Sequence, residues 1–396
     1  MKFSLIYEAQ MVDTSRANEA KVFHDTIEQC LLAEELGFDN VWAVEHTSLT
    51  QYSHMSAPET FLAFLAGRTT RLGIGHGVVC LPHKMNHPIK VAERIATLDI
   101  LSKGRLHFGM GKGGTQQEAG AFGEQLDKLQ PQIDESMDII PKMWREGVFE
   151  YKSKTTGLEI PPRPIHPKPY QDPHPPMYMA CTRHETLVTA GKRGLGALVL
   201  GFGGPEDIRK KVQTYHDAFA HRDIKEQVGE FATRHVAALC PATVLDDAER
   251  ARRVGVRGQR FFAESLARWY QNGPEPQVDD LDAEETIHIM DKSRQQVEAY
   301  LGQEKISYGT EATGMYNAEH AYGSAEQCIN YVQQLIDAGA DEILFLVQMG
   351  TVPAEIQLET VRNIGTKVIP HFRTQANKAK IASDKAAASV AVNVEA

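Results

Sequence analysis

Eight short apolar stretches recur along the chain, each followed by a segment of helical character with little sequence in between. "KFSLIYEA", "NVWAVEH", "LGIGHGVVCLP", "RLHFGMGKGG", "MYMACT", "GALVLGF", "ATRHVAALC" and "DEILFLVQMG" read as strands. The first helix carries Ile27, Cys30, Leu31 and Ala33 at helical spacing and stops at Gly37. Pro58 opens the second helix, and Lys103-Gly104 closes the third. Further helices are expected at 126–147, 183–193, 205–220, 247–271, 323–338 and 353–372. Alternating strand and helix requires a parallel sheet with right-handed crossovers. Eight such units close into an α/β (β/α)8 TIM barrel; periodicity alone also allows an open doubly wound sheet.

Residues 1–372 are expected to form one domain. The polar stretch 274–322, between the seventh and eighth strands, exceeds a normal loop, contains a helix at "DKSRQQVEAYLG" and reads as a lid insertion. "IPPRPIHPKPYQDPHPP" reads as a surface connection without regular structure. The Ala-rich tail 373–396 is expected to be disordered.

Composition works by exclusion. A formal charge of −10 and no Lys/Arg cluster argue against nucleic acid or a membrane surface as partner. No apolar run has the length of a membrane span, and the opening "MKFSLIYEAQMVD" lacks the apolar core and cleavage site of a signal peptide. Cys30, Cys80, Cys181, Cys240 and Cys328 are scattered singly, which fits free thiols in a reducing cytoplasm better than disulfides or a zinc site.

Functional groups in such a barrel sit at the C-terminal ends of the strands. The second strand ends on Glu45-His46, a charged pair that a buried strand does not need for packing. His46 is the acid/base candidate, although a core hydrogen bond also accounts for a lone histidine. Glu45 is placed either to orient it or to serve the fold. "GMGKGG" (109–114) contains G-x-G-x-x-G, but polar, irregular "TQQEAGAFGEQ" follows instead of the apolar helix of a dinucleotide fold. A loop whose backbone approaches a ligand fits better, with Lys112 offering its charge to an anion such as phosphate; a solvated lysine fits equally.

"MYMACTRHET" places Cys181, Thr182, Arg183 and Thr186 where a strand turns into a helix. Backbone N–H groups and hydroxyls there make an anion site, and Thr182 with Glu185 makes a capping box. His76 lies between Gly75 and Gly77 in the third strand, where glycines signal close backbone approach, and suits a core role. His83 and His87 are four apart, but Pro88 and the lack of H-E-x-x-H argue against a metal. No G-x-S-x-G or Walker loop appears.

Taken together, these stretches resemble the bacterial luciferase-like flavin-dependent monooxygenases, above all the luciferase catalytic chain. The likeness rests on "MKFSLIYE", "AEELGFDNVWAVEH", "LGIGHGVVCLPHKMNHPIKVAERIATLDILSKGRLHFGMGKG" and "YGSAEQCINYVQQLIDAGADEILFLVQMG". It covers residues 1–372. The resemblance implies a cytoplasmic homodimer that takes FMN as FMNH2 from a separate NAD(P)H:flavin reductase. With O2 as co-substrate it would oxygenate a small organic substrate through a flavin peroxide. His46 matches the catalytic imidazole beside the flavin, with Glu45 in support. Gly77-Val78 matches a non-prolyl cis peptide under the ring. Lys112 stands where luciferase carries a phosphate-binding arginine, and the turn bearing Cys181, Thr182, Arg183 and Thr186 matches the phosphate turn. The stretch 274–322 resembles the mobile lid.

There are departures. Gly111 replaces a reactive cysteine and implies a roomier pocket; Thr47 replaces a second histidine; "KLQPQ" lies where a second phosphate-binding arginine is found. Light emission is therefore not expected. A deazaflavin-dependent oxidoreductase of the same superfamily and a non-catalytic flavin-binding subunit remain open, the intact Glu45-His46 pair and eight complete units arguing against the second.

Overall fold

The computed structural model describes residues 1–304 and 314–375. Its strands are β1 (Lys2–Tyr7), β2 (Asn40–Ala43), β3 (Gly73–Cys80), β4 (Leu106–Gly111), β5 (Phe149–Lys152), β6 (Glu159–Arg163), β7 (Met177–Cys181), β8 (Gly196–Val199), β9 (Val236–Val244), β10 (Ala321–Gly323) and β11 (Glu342–Leu346). Eight of them pair in parallel in the order β1-β2-β3-β4-β7-β8-β9-β11, and β11 pairs back onto β1. Leu5 stands opposite both Val41 and Phe345, so the sheet closes. The barrel is thus a (β/α)8 barrel, not an open sheet. All nine residues of β9 are buried, as a parallel strand covered on both faces requires.

The helices are α1 (Arg16–Leu36), α2 (Pro58–Arg68), α3 (Pro88–Ser102), α4 (Gln116–Ala121), α5 (Gln130–Arg145), α6 (His184–Lys192), α7 (Pro205–Ala220), α8 (Ala248–Gln271), α9 (Ala283–Glu304), α10 (Ala325–Asp337) and α11 (Ala354–Asn363). Local signals set their ends. Ser15 caps α1 by accepting from the Asn18 N–H, and Gly37, left-handed at φ 85°, terminates it.

The barrel floor is polar. The fully buried Glu342 accepts hydrogen bonds from Ser4 Oγ (2.5 Å), Asn40 Nδ2 (2.9 Å) and Trp42 Nε1 (2.9 Å), and lies 2.8 Å from His235 Nε2. One carboxylate therefore ties β11, β1 and β2 to the residue that precedes β9. Trp42 fills the space above it because Gly75 has no side chain; a Cβ there would sit 2.4 Å from the indole.

Two expectations change. Residues 160–163 of the Pro-rich excursion are not irregular but form β6, paired antiparallel with β5. Pro161 and Pro162 are tolerated because the ladder shifts register between Phe149 and Tyr151, where no N–H is needed from them. Within 274–322 the helix extends well beyond "DKSRQQVEAYLG", as α9, and β10 adds to β9. Residues 305–313, and the tail from 376 onward, lie outside the described residues. Among the described residues no helix is long and apolar enough to cross a membrane.

Candidate active site

The chain leaves β2 at Ala43 and is pinned by the His46 N–H donating to Met55 O (3.1 Å). This brings the imidazole to the C-terminal mouth of the barrel. Its Nδ1 lies 2.9 Å from Glu118 Oε1. Glu118 comes from α4, inside the segment that sequence had presented as irregular. The helix forms there because Thr115 and Glu118 make a reciprocal capping box. Thr115 Oγ1 accepts from the Glu118 N–H (3.2 Å), while Glu118 Oε2 accepts from the Thr115 N–H (3.0 Å) and hydroxyl (2.9 Å). The other carboxylate oxygen is left for the imidazole. Sequence reasoning missed Glu118, and the T-x-x-E spacing was the signal that could have found α4.

A second carboxylate flanks the ring. Glu8, one residue past β1, is 7% exposed, and its Oε2 is 3.8 Å from His46 Nε2 with no hydrogen-bond partner. Tyr52 donates to Glu8 Oε1 (3.4 Å) and packs edge-on against the imidazole, ring centres 5.1 Å apart. Burial pushes the Glu8 carboxyl up to about 7, against the pull of His46 and the Tyr52 hydroxyl. Burial also draws His46 down, but the hydrogen bond and charge of Glu118, then the charges of Glu8 and Glu45, outweigh it and hold the imidazole above its usual value. Glu118 is pushed up by burial and brought below the usual carboxylate range by His46 and Thr115. The result is an imidazole clamped through Nδ1 and favoured in its protonated form, with Nε2 beside an acid that changes charge near neutrality. Such a group can hold or pass a proton at Nε2.

Glu45 does not orient His46. Its Oε2 accepts from the Cys80 N–H (2.8 Å) and its Oε1 from Asn86 Nδ2 (2.7 Å), and Asn86 is in turn bound by Arg94. Its work is to lock the end of β2 to the end of β3, and the orienting carboxylate is Glu118. Cys181 is fully buried with its thiol against Met179 O (3.4 Å) and Thr186 O (3.5 Å), so it supports the turn from beneath. The cap of α6 is Arg183, not Thr182. Thr186 Oγ1 accepts from the Arg183 N–H (3.1 Å) and donates to Arg183 O (2.7 Å), and Glu185 takes no part. Thr182 and Arg183 are exposed at the strand end.

The Gly77-Val78 peptide is cis, and these two residues are the half-exposed part of an otherwise buried β3. The pocket beside it is not roomier. A Cβ on Gly111 would lie 2.4 Å from Val78 Cγ2, so valine already fills the space a cysteine would need. His76 is buried with neither ring nitrogen bonded and is pushed down to about 3 by burial, so it stays neutral in the core.

Lys112, half-buried after β4, is drawn below its usual value by burial and then by the charge of Arg183 after β7. Two cations held within electrostatic reach of each other, next to the first amides of α6, suit a doubly charged anion such as a phosphate monoester. Among the described residues no cluster of three His, Cys, Asp or Glu suits a metal.

Fold and site together define a (β/α)8 barrel whose mouth holds a carboxylate-bound histidine on one side and a basic turn on the other. The profile of the luciferase-like monooxygenases matches residues 1–342. The chain belongs to that family. The oxygenase component of the flavin-dependent trigonelline monooxygenase of Acinetobacter baylyi is 24% identical over 388 residues, 94% of this chain and 96% of that protein. In two other curated relatives the matched stretch is 49% and 52% of the relative's length. The oxygenating constituent of Pseudomonas putida 3,6-diketocamphane monooxygenase, solved in complex with FMN, superposes with a TM-score of 0.68 at 18% identity over 93% of this chain and 98% of that one. The coenzyme F420-dependent tetrahydromethanopterin reductase of Methanopyrus kandleri does so with 0.65 at 21% over 94% and 99%. At these identities the two structures speak to the fold alone.

Proposed function

We propose that the protein is the oxygenase component of a two-component monooxygenase. It takes FMN, delivered as FMNH2 by a separate NAD(P)H:flavin reductase, and uses O2 to oxygenate a small organic substrate. The observation that carries this is the Glu118–His46 pair at the barrel mouth, on a barrel whose neighbouring strand ends also bring Lys112 and Arg183 within electrostatic reach of each other. The near full-length match to the trigonelline oxygenase component supports a separate reductase. Lys112, Arg183, Thr186 and the first amides of α6 would hold the phosphate, and the Gly77-Val78 backbone would lie against the ring. The bound flavin supplies the oxygen chemistry. The protein's own part is to bind and orient, to keep water out with Tyr52, Phe202 and Phe262, and to place a proton at His46 Nε2.

The test is to mix the protein with FMN, a flavin reductase, NADH and panels of cyclic ketones, terpenes and pyridine carboxylates. Expected are micromolar FMN binding and an oxygenated product carrying one atom from 18O2 by mass spectrometry. Hydride transfer with F420 and no binding of FMN would sink this reading and favour the deazaflavin one.

The homodimer belongs to the same proposal. Phe64 on α2 and Ile100 and Leu101 on α3 are 48%, 42% and 55% exposed, an apolar face that a second copy would cover. Light scattering should give twice the chain mass, falling to the monomer mass in Phe64→Glu/Leu101→Glu. A wild-type monomer would refute it. The five cysteines are buried and unpaired, which suits the cytoplasm.

A further inference from the structure

α8 is 24 residues long, roughly 36 Å, and its last turn reaches over the barrel mouth. It starts conventionally, with Asp247 Oδ1 accepting from the Arg250 N–H (3.0 Å). Phe262 packs edge-on against Tyr52, the ring that touches His46, and lies tilted against Phe202 beyond β8, at 5.6 Å and 5.2 Å between centres. Seven residues on, Trp269 Nε1 donates to Thr50 O (3.1 Å) in the loop after β2. Tyr270 then sets the hydroxyl end of its ring against the loop after β4. A Cβ on Gly114 would fall 1.8 Å from its hydroxyl oxygen and 2.4 Å and 2.7 Å from two ring carbons. Only a glycine at 114 lets the phenol rest there, and Asn272, left-handed at φ 54°, ends the helix immediately afterwards. Tyr270 remains 46% exposed, as expected of a ring on the rim and not in the core.

The same Gly114 N–H donates to Glu118 Oε2 (3.3 Å). The phenol therefore covers the backbone that holds the carboxylate that holds His46. A ring-shaped ligand heading for His46 between the β2 and β4 loops must pass this edge. We propose that Tyr270, seated on Gly114, is the residue that sets the width of the entrance to the His46 pocket and so limits how fast flat ring molecules are admitted and released. The inference rests on the flavin reading above for its ligand, but not for its geometry.

Two substitutions approach the contact from opposite sides. Tyr270→Ala removes the phenol, and Gly114→Ala displaces it while keeping the N–H bonded to Glu118. Tyr270→Phe keeps the ring. With FMN as probe, stopped-flow fluorescence should show association and release both about tenfold faster in the two alanine variants, and wild-type rates in Tyr270→Phe. Hydrogen exchange of residues 111–118, measured without flavin, should rise in the alanine variants only. Unchanged exchange in Tyr270→Ala overturns the proposal, as do unchanged FMN rates. A wild type that binds no FMN but shows the expected exchange pattern overturns the flavin reading and leaves the entrance role standing.

Discussion

His46→Ala lowers the yield of oxygenated product per turnover time by about 10²- to 10⁴-fold, the range for losing a positioned acid or base, and leaves FMN binding intact. The residues proposed to hold the phosphate follow β4 and β7, two or more strands away from β2, so the substitution does not touch them. A variant with wild-type rate would remove the imidazole from the chemistry. Glu118→Gln gives the sharper readout. The Glu118 charge is among the forces holding His46 above its usual value, so its loss lowers the imidazole's pKa. If protonated His46 is the working form, activity falls as pH rises through its pKa, and that alkaline limb moves to lower pH in Glu118→Gln. Glu8, Glu45 and Tyr52 face the same ring and are unchanged in this comparison. A limb that stays in place, or moves upward, contradicts the assignment.

Glu342→Ala destabilises the fold by about 3–5 kcal/mol, the cost of removing one partner from a buried charged network. Ser4, Asn40 and Trp42 each lose their acceptor, and His235 loses its carboxylate. The loss is measured by urea unfolding; less than about 1 kcal/mol would show that water or rearrangement replaces the carboxylate. The pH dependence has a definite sign. Burial alone would raise Glu342, but the His235 hydrogen bond and charge, with Ser4 and Asn40, hold it at about 2 against an ordinary 4.5. A depressed carboxylate stabilises the fold fully above its unfolded value and stops doing so as pH falls through the folded one. The advantage of wild type over Glu342→Gln, of order 3 kcal/mol where the carboxylate is ionised beside its partners, should therefore narrow as pH falls from about 4.5 toward about 2.

The barrel was legible because each of its strands is a continuous apolar run closed by a turn residue, and the helices between them carry their own stops at Gly37 and Lys103-Gly104. His46 was legible for a related reason, since an ionisable pair at the end of such a run has no packing role. Its partner was not. Glu118 lies 72 residues further on, and nothing in the spacing of residues tells which loop folds against which. The capping box that builds α4 is visible in the sequence, but the spare carboxylate oxygen becomes useful only in three dimensions. Glu45, adjacent in sequence, drew the role because proximity along the chain is the one kind of proximity a sequence displays. Cys181 failed similarly, for one residue decides whether a strand-end side chain faces the mouth or the helix layer. Glu8 looked like part of the first strand, which stops one residue before it. Tyr270 could not be foreseen, because helix length does not reveal what the last turn overhangs.

The six-residue α4 is far too short to persist on its own in water, and it is held by the same carboxylate that aligns His46. Local folding and chemical competence thus share a single bottleneck at position 118. A substitution there is read twice, once as a frayed helix and once as a misaligned imidazole. The position is therefore constrained from two directions, and neither the loop nor the reaction can be retuned through it without the other following.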